Sequence, residues 1–339
     1  MFYLISFPGN ALTLIKNTIY LFFEKVFPFL FPFFILSTLL VKANLIKYIE
    51  YIFNPINKIL FKTESKASSF LFIANLFSGN PGSVKLLSNL VNEEKISVDE
   101  GNNLLLYTCF ANPLFIIGFI GVGFYKNMTV AYILLLSHFL SNIIIGILAN
   151  IFKKIDFNTP EYKEITCKNP LKESVDTNFN TMVMILAIMI LSNLLYGLII
   201  DTHILDFVKN EEFKLFLLSS LEMTNGISMV FNSEIALLNS LMVISFLLAF
   251  GGVSIHLQSI PFIKEANLSY FSFFVGRIFQ GVISVFLTII LFKRLYNPIS
   301  PVGNIFLDTN LTYKMYVLLS IFLLYYAFSI FKPFKKHSV

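Results

Sequence analysis

The stretch LFSGNPGSVKLL, Leu76 to Leu87, decides how this chain is read. Its centre, Ser-Gly-Asn-Pro-Gly, should break any helix, yet it lies between two apolar runs. The meaning of such a break depends on the solvent around it. Of 339 residues, 56% are hydrophobic and only 13% are charged, whereas soluble domains carry about a quarter charged residues. Phe occurs 40 times and mean hydropathy is +0.75, a load that acyl chains accept on every face of a helix. The composition is that of an integral membrane protein.

Crossing about 30 Å of hydrocarbon takes about 20 apolar residues. Seven stretches are read as spans: 26–43, 103–124, 128–151, 181–200, 237–260, 271–292 and 313–331. Two others, 67–91 and 213–235, have a polar break at their centre with about ten apolar residues on either side, which reaches about 15 Å as helix. Each is therefore read as a re-entrant hairpin that dips to the midplane and returns. Residues 9–25 carry Lys16, Glu24 and Lys25 at helical spacing and are read as an interfacial helix. The first segment has no charged region followed by a cleavage site, so it is expected to stay.

With the side reached after the first span as side B, fifteen Lys fall there and eight Lys or Arg on the other side. Side B is then cytoplasmic, the N-terminus outside and the C-terminus inside. Aligning LFSGNPGSVKLL with LEMTNGISMVF places Gly82 against Gly226 and Asn112–Pro113 against Gly251–Gly252. The distance from Asn112 to His138 equals that from Gly251 to Arg277, 26 residues. Three crossings per half make the second half inverted. The expected fold is an all-α integral membrane, inverted-repeat transporter with about seven transmembrane helices, two re-entrant hairpins and interfacial helices. Its parts are a first repeat over 9–152, a cytoplasmic linker and interfacial helix over 153–179, an inverted second repeat over 180–294, and a C-terminal helix with a basic tail over 295–339.

Irregular backbone at membrane depth is tolerated only where protein or a water-filled cavity covers it. The four breaks are therefore expected to converge on one substrate site. Its candidate residues are Ser78, Gly79, Asn80, Gly82, Ser83, Lys85 and Asn112 from the first half, and Glu222, Thr224, Asn225, Gly226, Ser228, Gly251, Gly252, His256, Gln258, Arg277 and Gln280 from the second. Half-helix termini offer free N–H groups to anions and free carbonyls to cations. Lys85 and Arg277 favour an anionic substrate; Glu222 is either their partner or a coupling-ion ligand. The bland readings compete with these. A single Gly such as Gly121 or Gly146 is more often a packing contact, Arg277 can snorkel, and His138 or His256 more often bonds a neighbouring helix.

Two cysteines, Cys109 and Cys167, give neither a disulfide framework nor a metal spacing. No HExxH, paired aspartates, Ser-Lys arrangement or GxxxxGK[ST] is present, so an intramembrane enzyme and an ATP-driven pump are disfavoured. No cofactor, metal or nucleic acid is expected; the partners are the bilayer and a small anion, with a homo-oligomer and the coupling ion (Na⁺ or H⁺) left open.

FPFLFPFFILSTLL, SGNPGSVKLL, ANPLFIIGFIGVGF followed by LLSHFLSN, and AFGGVSIHLQSI resemble the YlbJ (SpoVV) family of sporulation integral membrane proteins over about residues 9–300. The resemblance implies two nucleoside-recognition (Gate) domains related to concentrative nucleoside transporters. It also implies a role in moving dipicolinate out of the mother cell towards the developing spore, which would place the protein in the outer forespore membrane. The alternative is a nucleoside or other Gate-type solute carrier.

The hairpin reading of 67–91 fixes a topology. In a background with Cys109 and Cys167 replaced, single cysteines at Lys66 and Lys95 should both react with an impermeant reagent from the cytoplasm only. Reaction from opposite sides would make 67–91 a span.

Overall fold

A computed structural model describes residues 2–42, 55, 58, 61, 66–113, 115–152 and 169–296. The expected span 313–331, the linker residues 153–168 and the basic tail lie outside them. Among the described residues every regular element is helical. Four runs are long and apolar enough to cross a membrane, Met128–Ile151, Pro170–Asp201, Leu237–Glu265 and Tyr270–Leu295.

The chain opens with α1 (Phe2–Ser6), α2 (Pro8–Leu21), a π-wound turn (Phe22–Val26) and α3 (Phe27–Lys42). Residues 9–25, expected to form an interfacial helix, belong to a helical run that is hydrogen-bonded to a longer helix. The Tyr3 hydroxyl and Asn10 amide donate to the Asp201 carboxylate, Asn193 donates to Thr18 at 2.8 Å, and Asn178 donates to the Phe34 carbonyl at 3.0 Å. Those partners descend along a single helix, Pro170–Asp201, as the first residues ascend. The N-terminal run is therefore antiparallel to a membrane-length helix along its whole length. Lys16 and Glu24 on this run are exposed.

The first hairpin is α4 (Lys66–Ser78) and α5 (Gly82–Asn92). Gly79, at φ +63°, supplies the left-handed residue that ends α4. At 13 and 11 residues these arms reach about 20 Å and 16 Å, short of a crossing. Val84, Leu87 and Leu90 of α5 are buried in a core with Ile255 and Ile263 of the second half. Lys95 is turned onto Glu93 at 2.6 Å, so the exposed Glu94 is the better labelling position beyond this hairpin.

The expected span 103–124 is interrupted. α6 (Val98–Leu104) stops, residues 108–112 run without helix, and a π-wound segment (Phe115–Phe124) follows. Next come α7 (Met128–Phe152) and α8 (Pro170–Asp201), the latter starting eleven residues before the expected 181. The second hairpin is α9 (Glu211–Ser219) and α10 (Met223–Phe231), nine residues each and about 14 Å long. α11 (Leu237–Phe250) and α12 (Gly252–Glu265) are two pieces of one run, broken where Gly251 at φ +84° and Gly252 at φ +69° turn the chain. α13 (Tyr270–Leu295) packs between α7 and α11. Both positions paired in the sequence alignment, Asn112 and Gly251, are thus interruptions.

The second hairpin is closed by contact. A Cβ on Gly226 would lie 2.1 Å from the Ser219 carbonyl oxygen, a backbone atom that cannot step aside. Gly226→Ala should lower the thermal midpoint in detergent by the equivalent of about 1–3 kcal/mol. Gly9→Ala, which meets nothing within 4 Å, should leave it unchanged or raised. Equal midpoints for the two variants would refute the tight hairpin.

Candidate functional site

The hairpin tips and the interrupted spans leave backbone groups without helical partners, and several of these are met by specific side chains or carbonyls. The Ala111 N–H donates to His138 Nε2 at 2.9 Å, which makes that nitrogen an unprotonated acceptor. The Phe250 carbonyl, just before the second break, lies 3.1 Å from His256 Nε2, and the other nitrogen of that ring lies 2.9 Å from the Tyr270 hydroxyl. A carbonyl can only accept, so His256 Nε2 carries its proton and Nδ1 accepts from Tyr270. The free N–H groups opening α12 also find partners, Val253 donating to the Ser220 carbonyl at 2.8 Å and Ser254 to that of Leu221 at 3.1 Å. Each half holds its hairpin on its break. A Cβ on Gly79 would lie 2.9 Å from the Asn112 Cβ, and one on Gly252 3.1 Å from Ser220 O and Met223 N.

These four features line one open pocket with a cavity volume of about 50 Å³. Gly79, Asn80 and Pro81 line it from the first tip, Asn112 from the first break, Glu222, Met223 and Thr224 from the second tip, and Gly251 from the second break. Gln258 adds a side-chain amide, while Val26, Leu30, Phe115, Ile185, Met189, Leu248 and Ile255 form apolar walls. Of the candidate residues, Gly79, Asn80, Asn112, Glu222, Thr224, Gly251 and Gln258 are therefore brought together. The apolar walls carry no sequence signal that separates them from lipid-facing residues. Ile185 and Met189, one helical turn apart, read like any other pair on a spanning helix.

The remaining candidates surround the cavity without lining it. Ser83 donates to Asn80 Oδ1 at 2.7 Å, Ser78 to its own helix at Ala74, and Gly82 packs on Phe34. Asn225 reaches Asn193 on α8, Gly226 closes the second hairpin, Ser228 accepts from Asn232, and Gly252 supports the second tip. His256 faces Phe250 and Tyr270.

The two cations expected to meet an anion point elsewhere. Lys85 Nζ donates to the Thr181 hydroxyl at 2.6 Å and the Thr177 carbonyl at 3.2 Å, both on α8. Arg277 is fully buried, with Nη2 donating to the Leu106 carbonyl at 2.9 Å and Nη1 to Gln280. It ties α13 to the unwound chain ahead of the first break, and Gln280 carries the contact on to His138. Among the described residues no carboxylate pairs with Arg277. Glu222 does not pair with either cation; it caps α10, its two oxygens accepting from the N–H groups of Thr224 at 3.1 Å and Asn225 at 2.7 Å.

Gln258 is 1% exposed, and its Oε1 has no hydrogen-bond partner. An orphaned buried carbonyl costs about 1–3 kcal/mol, and Leu occupies a similar volume without a polar atom. Gln258→Leu should therefore raise the thermal midpoint of the purified protein. An unchanged or lowered midpoint would mean that the amide is satisfied in the resting state.

No family model matches the chain, and no solved structure matches it. It is 28% identical over 327 residues to the sporulation integral membrane protein YlbJ of Bacillus subtilis (strain 168), a match covering 86% of this chain and 80% of that protein. Together with the four membrane-length helical runs among the described residues, this similarity supports an integral membrane protein that resembles YlbJ.

Proposed function

We propose that the chain is a membrane transporter of a small organic anion, with dipicolinate leaving the mother-cell cytoplasm during spore formation as its cargo. The observation that carries this reading is the cavity walled by both hairpin tips and both breaks. A fold stabilised only by packing has no need to bring four helix interruptions to one place, whereas a carrier needs backbone dipoles and amides around its cargo. The identity of the cargo rests on the YlbJ resemblance, and the inverted-repeat plan rests on the alignment of the two halves.

Among the described residues the walls contribute no Lys or Arg, so an anion would be held differently from the sequence expectation. The N-terminus of α5 begins at the first tip without a side-chain cap and offers about half a positive charge. Asn80, Asn112 and Gln258 can add amide donors. The same lack of cationic walls favours a second reading, a neutral solute such as a nucleoside.

Purified protein in liposomes, offered dipicolinate or uridine, separates the two. Saturable dipicolinate uptake is expected, reduced at least tenfold in Gln258→Leu, or about 1.4 kcal/mol. Uridine uptake without dipicolinate uptake would favour the second reading, and uptake of neither would overturn both.

A further inference from the structure

Among the cavity-lining residues, Glu222 is the single ionisable side chain. It is 5% exposed and has no cationic partner among the described residues. The other elements around it bring no competing titratable group to the walls. From α12, His256 is turned to Phe250 and Tyr270; from α5, Lys85 is turned to α8; and Arg277 of α13 is held by Leu106 and Gln280. α8 and α11 face the cavity with Ile185, Met189 and Leu248, and the π-wound segment faces it with Phe115. Gln258, whose Oε1 is unpartnered, lines the same cavity.

Resting on the transporter reading, we infer that Glu222 is the coupling site and that the coupled ion is a proton. With the cavity empty, the two N–H groups that cap α10 donate to both carboxyl oxygens of Glu222, contacts that favour its ionised form against the cost of burying it. An anion entering the cavity meets that like charge in a space with no cation to screen it, and the smallest compensation is protonation of Glu222. One proton is taken up from the side to which the cavity is open. The carboxylate becomes a carboxylic acid, and the proton returns to water on the side where the anion leaves. By linkage the anion then binds better when Glu222 is protonated, to the same factor by which it promotes protonation. No metal-ligand cluster is needed, and none of three or more His, Cys, Asp or Glu occurs among the described residues.

The test clamps the membrane potential at zero and keeps both sides at pH values where the carboxyls of dipicolinate are ionised, so that the cargo carries no proton itself. Wild-type liposomes should accumulate dipicolinate about tenfold per pH unit of inward proton gradient. Glu222→Gln should lose that response whatever uptake rate it retains. Uptake by the wild type that ignores the gradient, or a gradient response that survives in Glu222→Gln, would overturn the proton site while leaving the transporter reading intact. Should the wild type move no dipicolinate, the transporter reading fails and infrared titration decides the proton site. A carboxylic C=O band that dipicolinate induces in the wild type and not in a folded Glu222→Gln supports it, and the lack of such a band overturns it.

Discussion

Hydrocarbon offers backbone groups no water, so each unpaired N–H or C=O within it costs several kcal/mol. This chain interrupts its helices at two hairpin tips and two broken spans, and several of its buried polar side chains partner the backbone there. His138 takes the Ala111 N–H, His256 the Phe250 carbonyl, Arg277 the Leu106 carbonyl and Glu222 the first N–H groups of α10. The carbonyls of Ser220 and Leu221 take the N–H groups opening α12. A buried Arg, two His and a Glu therefore act first as backbone partners. Replacing Arg277 or either His would reach the cavity through the break that it holds, whereas Glu222 lines the cavity itself.

The sequence made much of this legible. Gly-Asn-Pro-Gly between half-length apolar runs pointed to a hairpin, and the aligned Asn112 and Gly251 are both interruptions. Their meeting in one cavity followed from the rule that broken backbone in a membrane must be covered. The directions of long side chains were not legible. Lys85 and Arg277 carry several rotatable bonds, and their targets, Thr177, Thr181 and Leu106, lie far away in sequence. Glu222 could have been recognised as a cap, since it stands directly before a helix and three residues ahead of Asn225, whose N–H it accepts. The antiparallel course of the N-terminal run along α8 was hidden for another reason: its charges are exposed, and spacing alone does not tell a lipid interface from the outer face of a packed pair.

The arrangement also suggests what moves in the proposed transporter. Gly79 sits on Asn112, and Gly252 on Ser220 and Met223, so each hairpin is keyed to its own break by close contacts that a methyl group would crowd. A tip cannot slide alone without uncovering the backbone that it shields. Opening the cavity to one side would then carry a hairpin and its break together as a rigid unit, with the apolar walls from α8 and α11 as the surface left behind.

The central claim is that the two tips meet in a water-accessible cavity rather than in lipid or a dry core. Its most direct measurement is the reactivity of single cysteines at Asn80 and Thr224, in a background lacking Cys109 and Cys167, towards a small membrane-impermeant thiol reagent, with Leu191, exposed on the membrane-length helix α8, as the control. The account predicts that both tip positions react, that dipicolinate protects them together, and that Leu191→Cys stays inert. Tip cysteines as unreactive as the one at Leu191 would contradict it.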